Sequence, residues 1–180
     1  MKKAIVMTLL IFLCFLLQTG VFQWISFGGI MPNLLLILTA SFGFMCGEKT
    51  GLLTGFACGF LADIYSAYGA GTGTGDLIGF YALLYMLIGY YNGKFTRLFY
   101  PEDLKLPLAL IAASDVSLNL VCYCVMFLLR ARLRAGYYFL HIILPEAVYT
   151  LIIAFLAYPL FLAVVKRQNR AERGGNETFD

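Results

Sequence analysis

Charge is scarce in this chain. Of 180 residues, 13 are Lys or Arg and 10 are Asp or Glu, 13% together, against about 25% in soluble domains. So few charges cannot cover a water-facing surface, which excludes a soluble globule. The net charge of +3 is too small to point to nucleic acid, and no nucleic-acid partner is expected. Histidine is nearly absent: His141 alone rules out an HExxH motif and any multi-histidine zinc site, so no metal is expected. No small-x-small cleavage site follows the first apolar run, where Gln18, Phe22, Gln23 and Trp24 stand instead, so that segment reads as a retained helix rather than a signal peptide. Neither phosphate-binding pattern is met. The glycine-rich stretch Tyr68–Gly75 has no register for GxGxxG, and in Gly47-Glu48-Lys49-Thr50 a glutamate occupies the Walker lysine position. Cys14, Cys46, Cys58, Cys122 and Cys124 lie within or at the ends of apolar runs, where they act as small hydrophobes. No nucleophile and base are arranged for catalysis, so neither enzyme activity nor a cofactor is expected.

What the chain has is apolar surface: 61% of residues are hydrophobic and the mean hydropathy is +0.83. A lipid bilayer must serve as the second solvent. The apolar runs predict an all-α membrane protein, a bundle of six transmembrane helices over residues 1–165, with spans at 4–22, 32–46, 51–65, 77–91, 106–129 and 139–165. Pro32 suits the opening of the second span, and Glu48, Lys49 and Thr50 are read as closing it. With the N-terminus inside, ten basic residues fall on the inner side and three, Arg130, Arg132 and Arg134, on the outer, so both termini are placed in the cytoplasm. The three outer arginines either snorkel to lipid head groups or meet an acidic partner. Residues 166–180 mix charge with Gly174, Gly175 and Asn176 and are read as a disordered cytoplasmic tail, on which the sequon beginning at Asn176 is idle.

Asp63, Asp115 and Glu146 fall within or near spans, each at a cost of about 2.5–3.5 kcal/mol when placed mid-membrane. Two readings stand for each: a structural polar contact, or a functional carboxyl group. Asp63 is placed close to the outer interface. Asp115 has Ser114, Ser117 and Asn119 nearby to share hydrogen bonds. Gly51, Gly55 and Gly59 recur every four residues and Asp63 continues the interval, which puts a smooth groove and then a carboxyl group on one side of a helix. Such a face seats either another helix of the bundle or a partner's helix. Gly79, Gly89 and Gly93 extend the tendency into the next span.

Several short motifs resemble those of the MreD family of bacterial rod shape-determining membrane proteins. They are Pro32-Asn33-Leu-Leu-Leu-Ile-Leu38, the glycine series ending at Asp63, Pro145-Glu146-x-x-Tyr149-Thr150 and Tyr158-Pro159-Leu160. The resemblance implies a non-enzymatic component of the cell-wall elongation complex, the elongasome, in the inner membrane. It would bind MreC and, directly or indirectly, link MreB filaments to peptidoglycan synthesis by a RodA-type polymerase and a transpeptidase. The family is also similar in fold to the substrate-binding subunits of energy-coupling-factor vitamin transporters, which supplies the alternative function. On that reading Asp63, the Gly69–Gly75 turn and the three arginines would line an outer solute pocket.

Overall fold

The computed structural model describes residues 2–21, 32–68, 79–96, 105–130 and 144–176, and all its elements among these are helical. α1 (Lys2–Leu16) continues directly into a π-helical stretch, Leu17–Val21. Then come α2 (Leu34–Cys46), α3 (Glu48–Tyr68), α4 (Phe80–Phe95), α5 (Lys105–Arg130) and α6 (Leu144–Asn176). The all-α class expected from the apolar runs is what the chain adopts.

α2 is the hub. Every residue from Leu34 to Phe44 is buried, and the helix touches all five others. Its sequence is apolar on all sides rather than striped, which suits a helix enclosed by protein. At about 1.5 Å per residue its 13 residues reach only about 20 Å, short of the roughly 30 Å hydrocarbon core. The surrounding helices turn large apolar side chains outward: Leu9 and Phe12 on α1, Leu53 and Phe56 on α3, and Phe155, Leu156 and Leu160 on α6. A bilayer satisfies such faces and water does not. Among the described residues two stretches are long and apolar enough by themselves to cross a membrane, Lys105–Val125 and Pro145–Arg167; Ile5–Val21 and Leu34–Cys46 are apolar but shorter.

Element ends depart from the sequence reading in three places. Glu48, Lys49 and Thr50 do not form a closing loop; they are the first turn of α3, separated from α2 by Gly47 alone. Gly47 has φ +91°, a left-handed conformation that glycine adopts without penalty, and its N–H donates to the Gly43 carbonyl at 2.9 Å. Glu48 then sits where the helix dipole favours negative charge. α4 opens after Gly79, at φ +95°, rather than at 77, and runs four residues past the expected 91 to Phe95. Lys94 in its last turn complements the dipole and stands 4.7 Å over the Tyr90 ring. Finally, the tail read as disordered from 166 is helical to Asn176. A helix already nucleated extends at little cost, and Lys166, Arg167, Gln168, Arg170, Ala171, Glu172 and Arg173 are good helix formers. The Gly69–Gly75 turn, Arg132, Arg134, His141 and residues 177–180 lie outside the described residues.

Candidate functional site

The glycine face of α3 is occupied by α4, which runs antiparallel along it. A Cβ built on Gly51 would strike the backbone of Gly89, one on Gly55 the backbone of Tyr85 and Met86, and one on Gly59 the backbone of Ala82 at 2.5 Å. Gly93 meets Glu48 at the other end of the same seam. The α4 register decides where Asp63 finishes. It is buried, because the α3–α4 contact carries it to the start of α4. There one carboxylate oxygen accepts from the N–H of Gly79 (3.1 Å) and Ala82 (2.9 Å), and the other from the N–H of Tyr81 (3.0 Å). Gly79, at the N-cap position, has no side chain to do this. Asp63 therefore caps a neighbouring helix, satisfying donors that the α4 ladder leaves open and placing negative charge on the positive end of its dipole. The four-residue series is one device: three glycines bring α4 close enough for the fourth member to cap it.

The buried start of α2 is capped as thoroughly. Asn33 Oδ1 accepts from the Leu36 N–H at 3.1 Å and from the Tyr85 hydroxyl of α4 at 2.8 Å. Gln18 reaches across from the π-helical stretch, where its Oε1 accepts from the Leu35 N–H at 2.9 Å. The Asn33 N–H donates to Thr150 Oγ1 of α6 at 3.5 Å. At the far end the Thr96 hydroxyl, just past α4, donates to the carbonyls of Gly43 (3.1 Å) and Phe44 (2.8 Å). Three other elements, the π-helical stretch, α4 and α6, thus serve the termini of one helix. The motif residues divide accordingly: Asn33 and Thr150 belong to this cap, Pro32 and Tyr158 are fully buried around it, and Pro159 is exposed within α6. Pro145 and Glu146 lie in the first turn of α6, and Tyr149, half-buried, follows one turn on. Sequence reasoning missed Gln18, Tyr85 and Thr96, whose partners are distant in the chain. The π-helical stretch that carries Gln18 has no signature in sequence.

A third polar group lies deeper, between α4, α5 and α6. Asn92 of α4 donates from Nδ2 to Ser114 Oγ of α5 at 2.8 Å and to its own helix at Ile88 O. Asp115, the next residue, is fully buried, and neither of its oxygens receives a hydrogen bond among the described residues. The sharing expected from Ser114, Ser117 and Asn119 is corrected: Ser114 is engaged by Asn92, Ser117 points outward, and Asn119 makes no bond to Asp115. Glu146, half-buried, lies in the first turn of α6, a helix that packs against α5. No cluster of three or more metal-ligating side chains occurs among the described residues.

Chemically, this arrangement holds helices together. Asp63, the polar residue offered to an outer solute pocket, has both oxygens committed to backbone N–H groups, and of the other elements of that pocket only Arg130, the last residue of α5, is among the described residues. No solved structure and no curated protein matches the chain, so the likeness to transporter subunits gains nothing. A family model does match: rod shape-determining protein MreD, over residues 1–167.

Proposed function

The chain belongs to the MreD family of rod shape-determining membrane proteins, and on that premise we propose that it is a non-enzymatic scaffold of the cell-wall elongation complex. It crosses the cytoplasmic membrane six times with both termini inside. It binds MreC and helps couple MreB filaments to peptidoglycan synthesis by a RodA-type polymerase and a transpeptidase. The match over residues 1–167 carries this reading.

The geometry supports it from another side. The caps of α2 and α4 are made by the bundle's own side chains, so those polar groups are spent on rigidity rather than left for a substrate. What the molecule presents outward is apolar: Ile5, Leu9 and Phe12 on α1, and Ile152, Phe155 and Leu156 on α6. A partner's helix in lipid packs against such faces through van der Waals contact. The glycine series of α3 is not among them, since α4 fills it.

The test is co-purification. The chain is tagged at its C-terminus, extracted from its own cells in mild detergent, and its companions are identified by mass spectrometry. A single-span periplasmic coiled-coil protein with wall-synthesis enzymes is the expected result. A pair of ATPases with a coupling membrane subunit would refute the proposal and restore the transporter alternative.

A further inference from the structure

Where α3 begins and α4 ends, their seam opens into a cavity of about 220 Å³ lined by Glu48, Lys49 and Leu52 of α3 and Tyr90 of α4. Its walls are held together at Gly93, whose missing Cβ lets the backbone of Glu48 abut α4. Lys94, one turn beyond Tyr90, stands with its Nζ 4.7 Å over the Tyr90 ring and brings a second cation to the rim. Both lysines are exposed and Glu48 is half-buried. The cavity therefore combines both signs of charge with a phenol and one apolar side chain.

That apolar side chain begins a longer surface. Leu52, Phe56 and Phe60 follow one another at four-residue intervals on α3, and Leu87 and Leu83 continue from Tyr90 on α4; all five are exposed. Because α3 and α4 are antiparallel, the two rows leave the cavity in the same direction. Phe56 and Phe60 stack with ring centroids 6.3 Å apart. A polar cavity above two apolar rows has the outline of a phospholipid. The cavity is smaller than the roughly 300–1,000 Å³ that encloses a drug-sized ligand, so it takes a headgroup and leaves the acyl chains in the bilayer.

The charges select among headgroups. Lys49 and Lys94 match a phosphate, but a headgroup with negative charge alone would meet like charge at Glu48. One that carries an ammonium beside its phosphate satisfies both signs. We propose that this cavity binds the phosphoethanolamine headgroup of a membrane lipid, with the phosphate toward Lys49 and Lys94, the primary ammonium donating to Glu48, and an acyl chain along the α3 and α4 rows. The proposal rests on the protein's lying in a membrane and is independent of what it assembles with.

The experiment titrates the full chain, purified in mild detergent and freed of lipid, with dioleoyl phosphatidylethanolamine, phosphatidylcholine or phosphatidylglycerol, and reads each dissociation constant by native mass spectrometry at fixed ionic strength. Phosphatidylcholine keeps the positive charge but has no N–H to donate, and phosphatidylglycerol has no ammonium. Phosphatidylethanolamine is expected to bind more tightly than either by roughly two- to fivefold, the worth of one part-exposed ion pair. Glu48→Gln should abolish that preference, and Lys49→Gln should weaken all three lipids alike, because all three carry the phosphate. Should Glu48→Gln not keep the wild-type unfolding midpoint, Lys49→Gln, at an exposed position, decides. Equal affinity for the three lipids, tighter binding of phosphatidylglycerol, or affinities unchanged in both variants would overturn the proposal. So would free phosphoethanolamine that displaces the lipid at equal concentration, since the ligand would then come from water.

Discussion

Replacing Gly55 tests the seam on which most of the architecture depends. A Cβ on Gly55 stands 2.7 Å from the carbonyl carbon of Tyr85 and 3.0 Å from the Cα of Met86, whereas carbon atoms in comfortable contact are about 3.5–4.0 Å apart. The obstacle is backbone, which cannot swing aside, so α3 and α4 must separate locally by about 1 Å. A gap of that size forfeits about a quarter to a half of the dispersion attraction of each contact along the seam. Overpacking of this kind costs about 1–3 kcal/mol. In Gly55→Ala a helix-propensity gain of about 1 kcal/mol offsets part of it, leaving a net loss of about 0–2 kcal/mol. Gly55→Leu adds three further heavy atoms where there is no room, and its loss lies at about 3 kcal/mol or above. The separation also reaches Asp63, whose bonds of 2.9–3.1 Å would stretch to about 4 Å, outside hydrogen-bonding range. The assay is thermal unfolding of the tagged, purified protein in mild detergent, with Gly20→Ala as the control, because nothing lies within 4 Å of a Cβ there. Gly55→Leu with the wild-type midpoint would refute the packing argument outright.

Asp63→Asn keeps one acceptor oxygen but turns an amide NH2 toward backbone donors, so it should cost about 1–3 kcal/mol, while Asp63→Leu removes both acceptors and should cost more; equal loss in unfolding midpoint would show that the negative charge itself is what matters. Asn33→Ala removes the α2 cap at about 1–2 kcal/mol and strands the Tyr85 hydroxyl. A double-mutant cycle with Tyr85→Phe should return a coupling of about 0.5–3 kcal/mol, and strict additivity would contradict the shared bond. Gln18→Leu should cost about 1–3 kcal/mol by leaving the Leu35 N–H buried without an acceptor, and Gln18→Glu, which keeps the acceptor, should lose less; equal midpoints for wild type and Gln18→Leu would dissolve this cap.

The glycine series was legible because a four-residue interval has only one meaning on a helix, a shared face. Which helix fills that face was not, since a smooth groove says nothing of its occupant. Asp63 could be placed on the correct side of α3 but not given its partners, which lie 16 to 19 residues away on a helix whose register only packing sets. Gln18 had no signal at all: reaching Leu35 depends on how the π-helical stretch directs it. Local chemistry misled at Asp115, where the neighbouring polar residues in sequence are turned to other tasks. At residues 166–176 low hydropathy was read as disorder, although helix propensity there is high.

Gly47 leaves α2 and α3 no slack, and this bears on how the protein enters the membrane during synthesis. α2 is apolar but too short to cross alone, and α3 is long enough but carries Glu48, Lys49 and Asp63. On the proposed six-span topology, two helices joined by one residue enter lipid as a hairpin, with the greasier arm drawing in the more polar one. The exposed part of that hairpin is the groove at Gly55 and Gly59, whose close contacts all come from α4, the next helix to emerge. Until it does, the nascent chain displays in the bilayer a helix-binding surface that the finished protein conceals.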